Sequence, residues 1–379
     1  AALADGRAPA DREGPRGTPS LDDLPEMLQL LGRQLEDIEF ATVQLGVTLG
    51  EGGLSAEAAH RLAHGDGAAA CGPAEEPATQ QLVRERALER LQREFRQRFP
   101  EAAVVSQDPE LKLLLDLSLW QILPPTPTAI FLYGRYRKLA RGIPQTRWPC
   151  AACRGEKAGR YGKCHVRGER GGAGEAPAGG SGEGAPGKAT CEACKGTGLQ
   201  YADSVQDLIG SSLVAAFAAE DGVFHGMGRE DIDVRCLGGG RPFVLELKAP
   251  RRRAPLRDLE ALAAGVNAAC AGKVELGAPL RLSSRAEPAR IKAAAADKTY
   301  TIRFRVEGGL RRPEDEACIL ALAGRALDQR TPARVEHRRA DLVRGRTIIS
   351  LGPLAVDGDE VELTIKAESG TYIKEFVHG

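Results

Sequence analysis

The chain contains no run of about 18 apolar residues, the length a helix needs to cross the hydrocarbon of a bilayer, and its N-terminus lacks a charged-then-apolar signal pattern. These absences predict a soluble intracellular protein with no membrane partner. Net charge is lacking as well, because 52 Lys and Arg balance 52 Asp and Glu. No global field draws the chain to nucleic acid, so local patches must carry any such role. Also missing is the glycine loop of a dinucleotide or S-adenosylmethionine site. Gly182 to Lys188 approaches a phosphate loop, but Ala189 stands where a magnesium-binding Ser or Thr belongs and no strand precedes it. No His-Pro-Asp tripeptide occurs either.

What is present is length enough, at 379 residues, for two or three domains of about 150 each. The chain begins at an alanine and stops at Val377-His378-Gly379, and reads as a fragment. Residues 1–20 are Pro, Gly, Arg and Asp without periodicity and are expected to be disordered. Leu24, Leu28, Leu31, Leu35 and Ile38 then form the stripe of an amphipathic helix. Val43, Leu45, Val47 and Leu49 alternate as a strand does. A Gly/Ala-rich loop is expected from Gly50 to Pro77, and a helix from Gln80 to Phe99 with Leu88, Leu91 and Phe95 on its apolar side. A buried strand is expected from Leu111 to Leu119. After the break at Pro124-Pro125-Thr126-Pro127 comes another at Ile130-Phe131-Leu132-Tyr133. From Gly134 to Gly142 cations interleave with Tyr136, a mixture that neutralises phosphates and stacks a base, or else a solvated basic loop.

Nine cysteines in clusters favour metal over a disulfide framework in an intracellular protein. Cys150-Ala-Ala-Cys153 and Cys191-Glu-Ala-Cys194 are C-x-x-C knuckles with the spacing of tetrahedral zinc. Four thiolates leave no open coordination position, so the zinc is predicted to be structural. Cys164-His165 between them is either a substitute ligand or a free thiol beside a surface histidine. The interval from about Lys157 to Ala189 is of low complexity and reads as a disordered insertion. Cys191 to Gly198 also fits the C-x-x-C-x-G-x-G repeat of DnaJ-type chaperones, which keeps open a zinc-containing RNA-binding or chaperone-like adaptor as the alternative to an enzyme.

Asp203 or Ser204 caps a predicted helix running to about Ala219, with Val205, Leu208, Ile209, Leu213 and Phe217 on its buried side. It leads through Phe224-His225-Gly226-Met227 to Gly228-Arg229-Glu230-Asp231-Ile232-Asp233-Val234-Arg235, read as a Gly-Arg turn feeding a strand. Ile232, Val234 and Cys236 would share one face, and Arg229, Asp231, Asp233 and Arg235 the other. That polar face is either a solvated edge or a functional surface. Gly238-Gly239-Gly240-Arg241-Pro242 is expected to turn the strand back on Phe243 to Leu247 as a hairpin. Arg251, Arg252 and Arg253 suit a phosphate backbone or a solvated loop. A helix is expected from Leu256 to Val266, and a strand in which Tyr300, Ile302, Phe304 and Val306 share a face. Gln329 to Arg339 is basic, and the last strand, Val361 to Lys366, leads to Glu368-Ser369-Gly370-Thr371-Tyr372-Ile373-Lys374-Glu375.

Gly228-Arg229-Glu230-Asp231, Lys298-Thr299-Tyr300 and Gly370-Thr371-Tyr372-Ile373-Lys374 occur in the order of the three active-site motifs of pseudouridine synthases. With Arg141 to Trp148 and the knuckles ahead of them, the chain resembles the archaeal and eukaryotic tRNA pseudouridine synthase family acting on T-loop positions 54 and 55. The resemblance covers most of residues 130–379, and the region before it is more weakly similar to the family's THUMP-containing RNA-binding domain. It implies an α+β protein: a THUMP-like α/β domain over 21–145, a zinc module over 146–200, and over 201–379 a catalytic domain built on a mixed, largely antiparallel sheet with helices. The family's further basic segment after Lys374 is missing, so that domain is read as C-terminally truncated.

Residue by residue, Asp231 matches the nucleophile that attacks the target nucleotide so that the base detaches, rotates and rejoins through carbon. Asp233 is its rival. Tyr300 matches the tyrosine that stacks on the flipped uracil and serves proton transfer, and Lys374 the basic residue that pairs with the aspartate. Substrate contacts are expected from Tyr300, Tyr372, Arg229, His225 and Arg251. Zinc at Cys150, Cys153, Cys191 and Cys194 is the implied metal, and no cofactor is needed for the chemistry. The implied partner is tRNA. A monomer is expected, cytoplasmic and, if eukaryotic, also nuclear.

Overall fold

The computed structural model describes residues 20–50, 54–64, 77–152, 165–167, 191–195, 197–333 and 340–378. Of the segment 1–20 expected to be disordered, residues 1–19 lie outside these residues, and Ser20 is ordered as the N-cap of a short 3-10 turn at Leu21–Asp23. So do Cys153, Cys164 and nearly all of the low-complexity insertion, of which only His165–Arg167 is described. The chain divides into two compact units, Ala1–Lys292 and Ala293–Gly379.

The first unit opens with a sheet of β1 (Thr42–Thr48), β2 (Ala103–Val104), β3 (Leu111–Asp116), β4 (Gln121–Ile122) and β5 (Thr126–Pro127). β1 is central and parallel to both β2 and β3, while β4 and β5 pair antiparallel with β3. Helices α1 (Leu24–Leu35), α2 (Ala56–His64) and α3 (Pro77–Arg98) share its core. The leucine stripe behaves as its spacing requires, with Leu24, Leu28, Leu31 and Leu35 all buried. On α3 the buried residues are Val83, Ala87, Leu91 and Phe95, one per turn.

Two expectations fail here. The Gly/Ala-rich stretch holds α2, because Ala58, Ala59, Leu62 and Ala63 bury one face and Ser55 Oγ accepts the Ala58 N–H at 3.2 Å. Alanine is the strongest helix former, so low complexity disguised a helix. The strand expected to reach Leu119 stops at Asp116, whose carboxylate accepts from the Ser118 and Leu119 N–H groups and folds the chain into a turn.

A second sheet runs in the order β10-β6-β9-β8-β7: β6 (Ile130–Lys138), β7 (His165–Arg167), β8 (Asp221–Gly226), β9 (Cys236–Lys248) and β10 (Val274–Ser283), every pair antiparallel. Helices α4 (Val205–Ala216) and α5 (Leu259–Cys270) cover one face over a core that includes Leu132, Phe217, Phe243, Leu245 and Val266. Both carry side-chain N-caps, Ser204 on α4 and Asp258 on α5. On the other face, α6 (Glu287–Ala293) sets Ile291 against Phe131 and Val244.

Three more corrections fall in this sheet. β6 continues through Lys138, so much of the supposed basic loop is strand. Residues 231–234 form a turn, closed by the Val234 N–H on the Asp231 carbonyl at 3.1 Å, and the strand begins only at Cys236. Gly238 to Pro242 makes no hairpin, since β9 runs unbroken from Cys236 to Lys248. The glycines instead make a bulge: Tyr136 pairs with Arg241 and Lys138 with Cys236, so Leu237 to Gly240 stand opposite Arg137 alone. Gly240 has φ +72°, and a Cβ there would lie 2.8 Å from the Tyr136 carbonyl oxygen. Only glycine meets both conditions without strain.

The second unit is an antiparallel sheet, β11-β14-β13-β12, formed by β11 (Lys298–Arg305), β12 (Ala326–Arg330), β13 (Val343–Asp357) and β14 (Glu360–Ala367). Two short helices, α7 (Glu314–Leu320) and α8 (Ile373–His378), accompany it. Ile348, Leu363, Ile365, Ala367 and Ile373 are its core, with Tyr300, Ile302 and Phe304 packed against them as the alternation of β11 predicts. The α+β class and the largely antiparallel character agree with the sequence reading. Among the described residues no helix is long and apolar enough to cross a membrane.

Candidate active-site loop and metal centre

The loop 227–233 joins β8 to the turn before β9 and carries the Gly-Arg-Glu-Asp motif. Its backbone is held mainly by groups from outside it. Arg241 Nη1 donates to the Met227 carbonyl at 2.9 Å and Gln145 Nε2 to that of Gly228 at 2.8 Å. Lys138 Nζ donates to the carbonyls of Asp231 and Ile232 at 3.0 and 3.3 Å. Arg141 Nη1 reaches the Asp233 carbonyl at 2.7 Å, and the Gly142 N–H that of Ile232 at 2.9 Å.

Glu230 points inward and organises these donors. Its carboxylate accepts from Tyr136 Oη at 2.9 and 3.1 Å, pairs with Arg241 Nε at 2.7 Å, and has Lys138 Nζ at 3.9 Å. Gln145 Nε2 donates to Tyr136 Oη at 2.9 Å. The Lys138 side chain is fully buried, and its third hydrogen bond goes to the Ile143 carbonyl at 2.9 Å. Burial pulls the Lys138 pKa below the usual lysine range against the opposing pull of Glu230. Burial first, and the Glu230 charge second, push the Tyr136 phenol well above its ordinary value, so it serves as a hydrogen-bond donor at neutral pH.

This arrangement leaves Asp231 half-buried on a fixed backbone and Asp233 exposed. Arg229 is exposed beside them. His225, on β8, has Glu246 Oε2 3.1 Å from Nε2 and Lys292 Nζ 3.3 Å from Nδ1, and burial lowers its pKa. Arg251 is a half-exposed side chain 3.9 Å from Asp37, and its carbonyl accepts the Glu39 N–H. Arg253 of the same run buries its guanidinium instead and donates to the carbonyls of Glu110 and Thr128.

The remaining motif residues lie on the second unit, which brings two of the motifs together. Lys298 pairs with Ala367 at the junction of β11 and β14, and Lys298 Nζ donates to Ser369 Oγ at 3.4 Å. Tyr300 is half-buried on β11. Gln329 grips the backbone of Tyr372 from both sides, accepting its N–H at 2.9 Å and donating to its carbonyl at 3.0 Å. Lys374 sits in the first turn of α8.

Three of the four knuckle cysteines are described, and they cluster. The Sγ atoms of Cys150, Cys191 and Cys194 lie within 4.8 Å of one another, with Cys150 and Cys191 4.0 Å apart. Thiolates about 2.3 Å from a tetrahedral zinc stand about 3.8 Å apart, so the spacing fits a shared metal. The donor set fits as well, because the Gly198 N–H points at Cys194 Sγ from 3.2 Å, a hydrogen bond that favours the thiolate. Backbone bonds from Cys150 N to Gly198 O and from Gln200 N to Trp148 O lace the two knuckles together, and Arg147 Nε on Asp207 at 3.0 Å ties them to α4.

Sequence reasoning read Tyr136 and Lys138 as part of a basic, base-stacking or solvated segment, and it missed their inward role together with Gln145, Glu230 and Arg241. A signal existed: the alternation Ile130, Leu132, Gly134, Tyr136, Lys138 runs on past the apolar residues, and period two alone places Tyr136 and Lys138 on the buried face. The charge on Lys138 hid it.

A family model described as Pus10, C-terminal, matches residues 188–379, half of the chain. The "tRNA pseudouridine synthase Pus10" of Methanothrix thermoacetophila is 39% identical over 250 residues, covering 66% of this chain and 47% of that protein. Its namesake in Methanothermobacter marburgensis is 39% identical over 275 residues, covering 72% and 58%. The one in Halorubrum lacusprofundi is 33% identical over 282 residues, covering 74% and 59%. The chain thus spans about half the length of the curated relatives it matches. A chain of the "Crystal Structure of a Cbf5-Nop10-Gar1 Complex" is 17% identical over 44% of this chain and 36% of that one, at a TM-score of 0.28, a likeness too slight to bear on the argument.

Proposed function

This chain belongs to the Pus10 family, and from that premise we propose that it isomerises uridine to pseudouridine in tRNA, in the T-loop at position 54, position 55 or both. The observation that supports this reading is the loop 227–233, a motif-bearing segment whose carbonyls are fixed from outside while Asp231 occupies the fourth place of Gly-Arg-x-Asp. Asp231 acts as the nucleophile: its carboxylate attacks the nucleotide, the uracil detaches, turns and rejoins the ribose through carbon. A nucleophilic carboxylate must be ionised, and an immobile backbone sets its line of attack.

The uracil must leave its stack to reach that carboxylate, which calls for an aromatic platform and cations on the backbone. The family resemblance gives Tyr300 the stacking and proton-transfer role, Tyr372 a substrate contact and Lys374 the basic role. Arg229, His225 and Arg251 are assigned to the RNA. The α/β layer before β6 serves as a THUMP-like RNA-binding region, and the cysteine cluster holds a structural zinc completed by Cys153. The chain acts as a monomer inside the cell.

Tritium release from tRNA labelled at uracil carbon 5 tests the reading. Release should vanish with Asp231→Asn and survive Asp233→Asn. Release that survives the first change would sink the assignment. A chain that binds tRNA and never releases tritium would favour the zinc-containing RNA-binding adaptor, a reading that the cysteine cluster supports.

A further inference from the structure

Between Tyr136 and Gln145 lies a Tyr, Arg and Lys segment whose composition suits phosphate binding, yet four of its polar side chains reach the motif loop, while Arg137 pairs with Glu275. Tyr136, Lys138 and Gln145 are buried, and together with Arg141 they reach Glu230 and the carbonyls of Gly228, Asp231, Ile232 and Asp233. We propose that Lys138 is a positioning residue for the nucleophile and that Arg141 is its partner at the exposed end of the same brace. This rests on the isomerase reading of Asp231.

The physical case begins with the loop. Residues 227–233 belong to no sheet ladder, and apart from the turn at Val234 and the Gly142 N–H their carbonyls depend on side chains. Lys138 spans the decisive pair, since one ammonium donates to the carbonyl of Asp231 itself and to that of the next residue. Lys138 thus fixes the peptide plane that follows the Asp231 Cα, and the anchored Glu230 side chain holds the residue that precedes it, so the Cα–Cβ vector of Asp231 is restrained from both sides. Burial makes the ammonium hard to replace, because its side chain is 0% exposed to bulk solvent and charge-assisted bonds in a low-dielectric site are the strong ones. Glu230 balances the cation from 3.9 Å and is itself anchored by Tyr136 and Arg241, so the brace is also fixed from behind. A nucleophile displaced by about 1 Å loses on the order of 100-fold in rate.

The test uses the full chain with Lys138→Met and Arg141→Ala, reading single-turnover tritium release, tRNA binding, and amide exchange over 227–234 below the melting temperature of each variant. For Lys138→Met the expected result is a rate lowered by about 100-fold with the tRNA Kd within about twofold, and faster exchange confined to the loop. A general structural role would speed exchange across β8 and β9 as well and leave the rate of the folded fraction unchanged, which would overturn the proposal. Should Lys138→Met not fold, Arg141→Ala decides, because its side chain is exposed. A lower rate at unchanged Kd supports the brace, and a weakened Kd at unchanged rate makes Arg141 a phosphate contact and overturns it. Wild-type protein without any release would sink the isomerase reading and the catalytic part of this one. Loop exchange in Lys138→Met would then still decide whether Lys138 fixes the loop.

Discussion

Glu230 is a carboxylate at 8% exposure served by a phenol and two cations. Taking away only the hydroxyl in Tyr136→Phe leaves Glu230 and Gln145 each short of a partner, and an unmet buried polar group costs about 1–3 kcal/mol. Urea denaturation should show that loss with an unchanged m-value. His225 makes a second prediction, through pH. Its folded pKa is lowered, chiefly by burial, with Lys292 and Lys248 adding to it and Glu246 opposing. The unfolded chain therefore takes up a proton near the ordinary pKa of about 6.5 that the folded chain refuses. The resulting stability is complete above that pH and declines as the pH falls through the folded value. His225→Gln should flatten the fall of Tm between about pH 7.5 and 5.5, and an unchanged slope would assign the dependence elsewhere. At this scale the Gly-Arg-Glu-Asp loop was legible in the sequence because a spacing pattern marks it, whereas the Lys138 that holds its carbonyls was not. A lysine in a strand looks like a solvent contact until three carbonyls are found around it.

Elements were legible where apolar spacing was strong and illegible where glycine or alanine diluted it. α1 and β11 follow their stripes residue by residue. α2 was hidden by alanine. β9 was cut in two by Gly238 to Gly240, because glycines in sequence indicate a turn and a bulge alike. The distinction is set by β6, whose Arg135 donates to the carbonyls of Gly239 and Gly240 at 2.6 and 2.7 Å and keeps the bulge in the sheet. Gly240→Ala should cost about 2 kcal/mol or more, from a left-handed backbone and a Cβ pressed on the Tyr136 carbonyl. The companion Gly238→Ala, also at positive φ but with nothing within 4 Å of the new Cβ, should cost less, and equal losses in chemical denaturation would refute the steric argument.

For the whole molecule, two compact units carry the motifs, with Asp231 on the first and Tyr300, Tyr372 and Lys374 on the second. Sequence pattern located the motifs but left the division at Lys292 unread, although the four alanines Ala293 to Ala296 follow it directly. The cysteine cluster joins positions as far apart as Cys150 and Cys194. Cys194→Ser should remove the zinc proposed for this cluster, measured as metal per chain, and lower Tm. A loss of about 2 kcal/mol corresponds to roughly 4–8 °C in a unit of this size. Retained metal would assign the site to other ligands.

The order of the second sheet sets a schedule for synthesis. β6 ends at Lys138, but its neighbours β9 and β10 begin at Cys236 and Val274. A ribosome adding about 5–20 residues per second takes on the order of 5–20 s to go from one to the next. Throughout that interval β6, with the lysine that will later sit beneath Asp231, has left the exit tunnel or is leaving it with both edges open. The part of the chain most exposed to mispairing in the nascent protein is thus the part that comes to lie deepest beneath the motif loop.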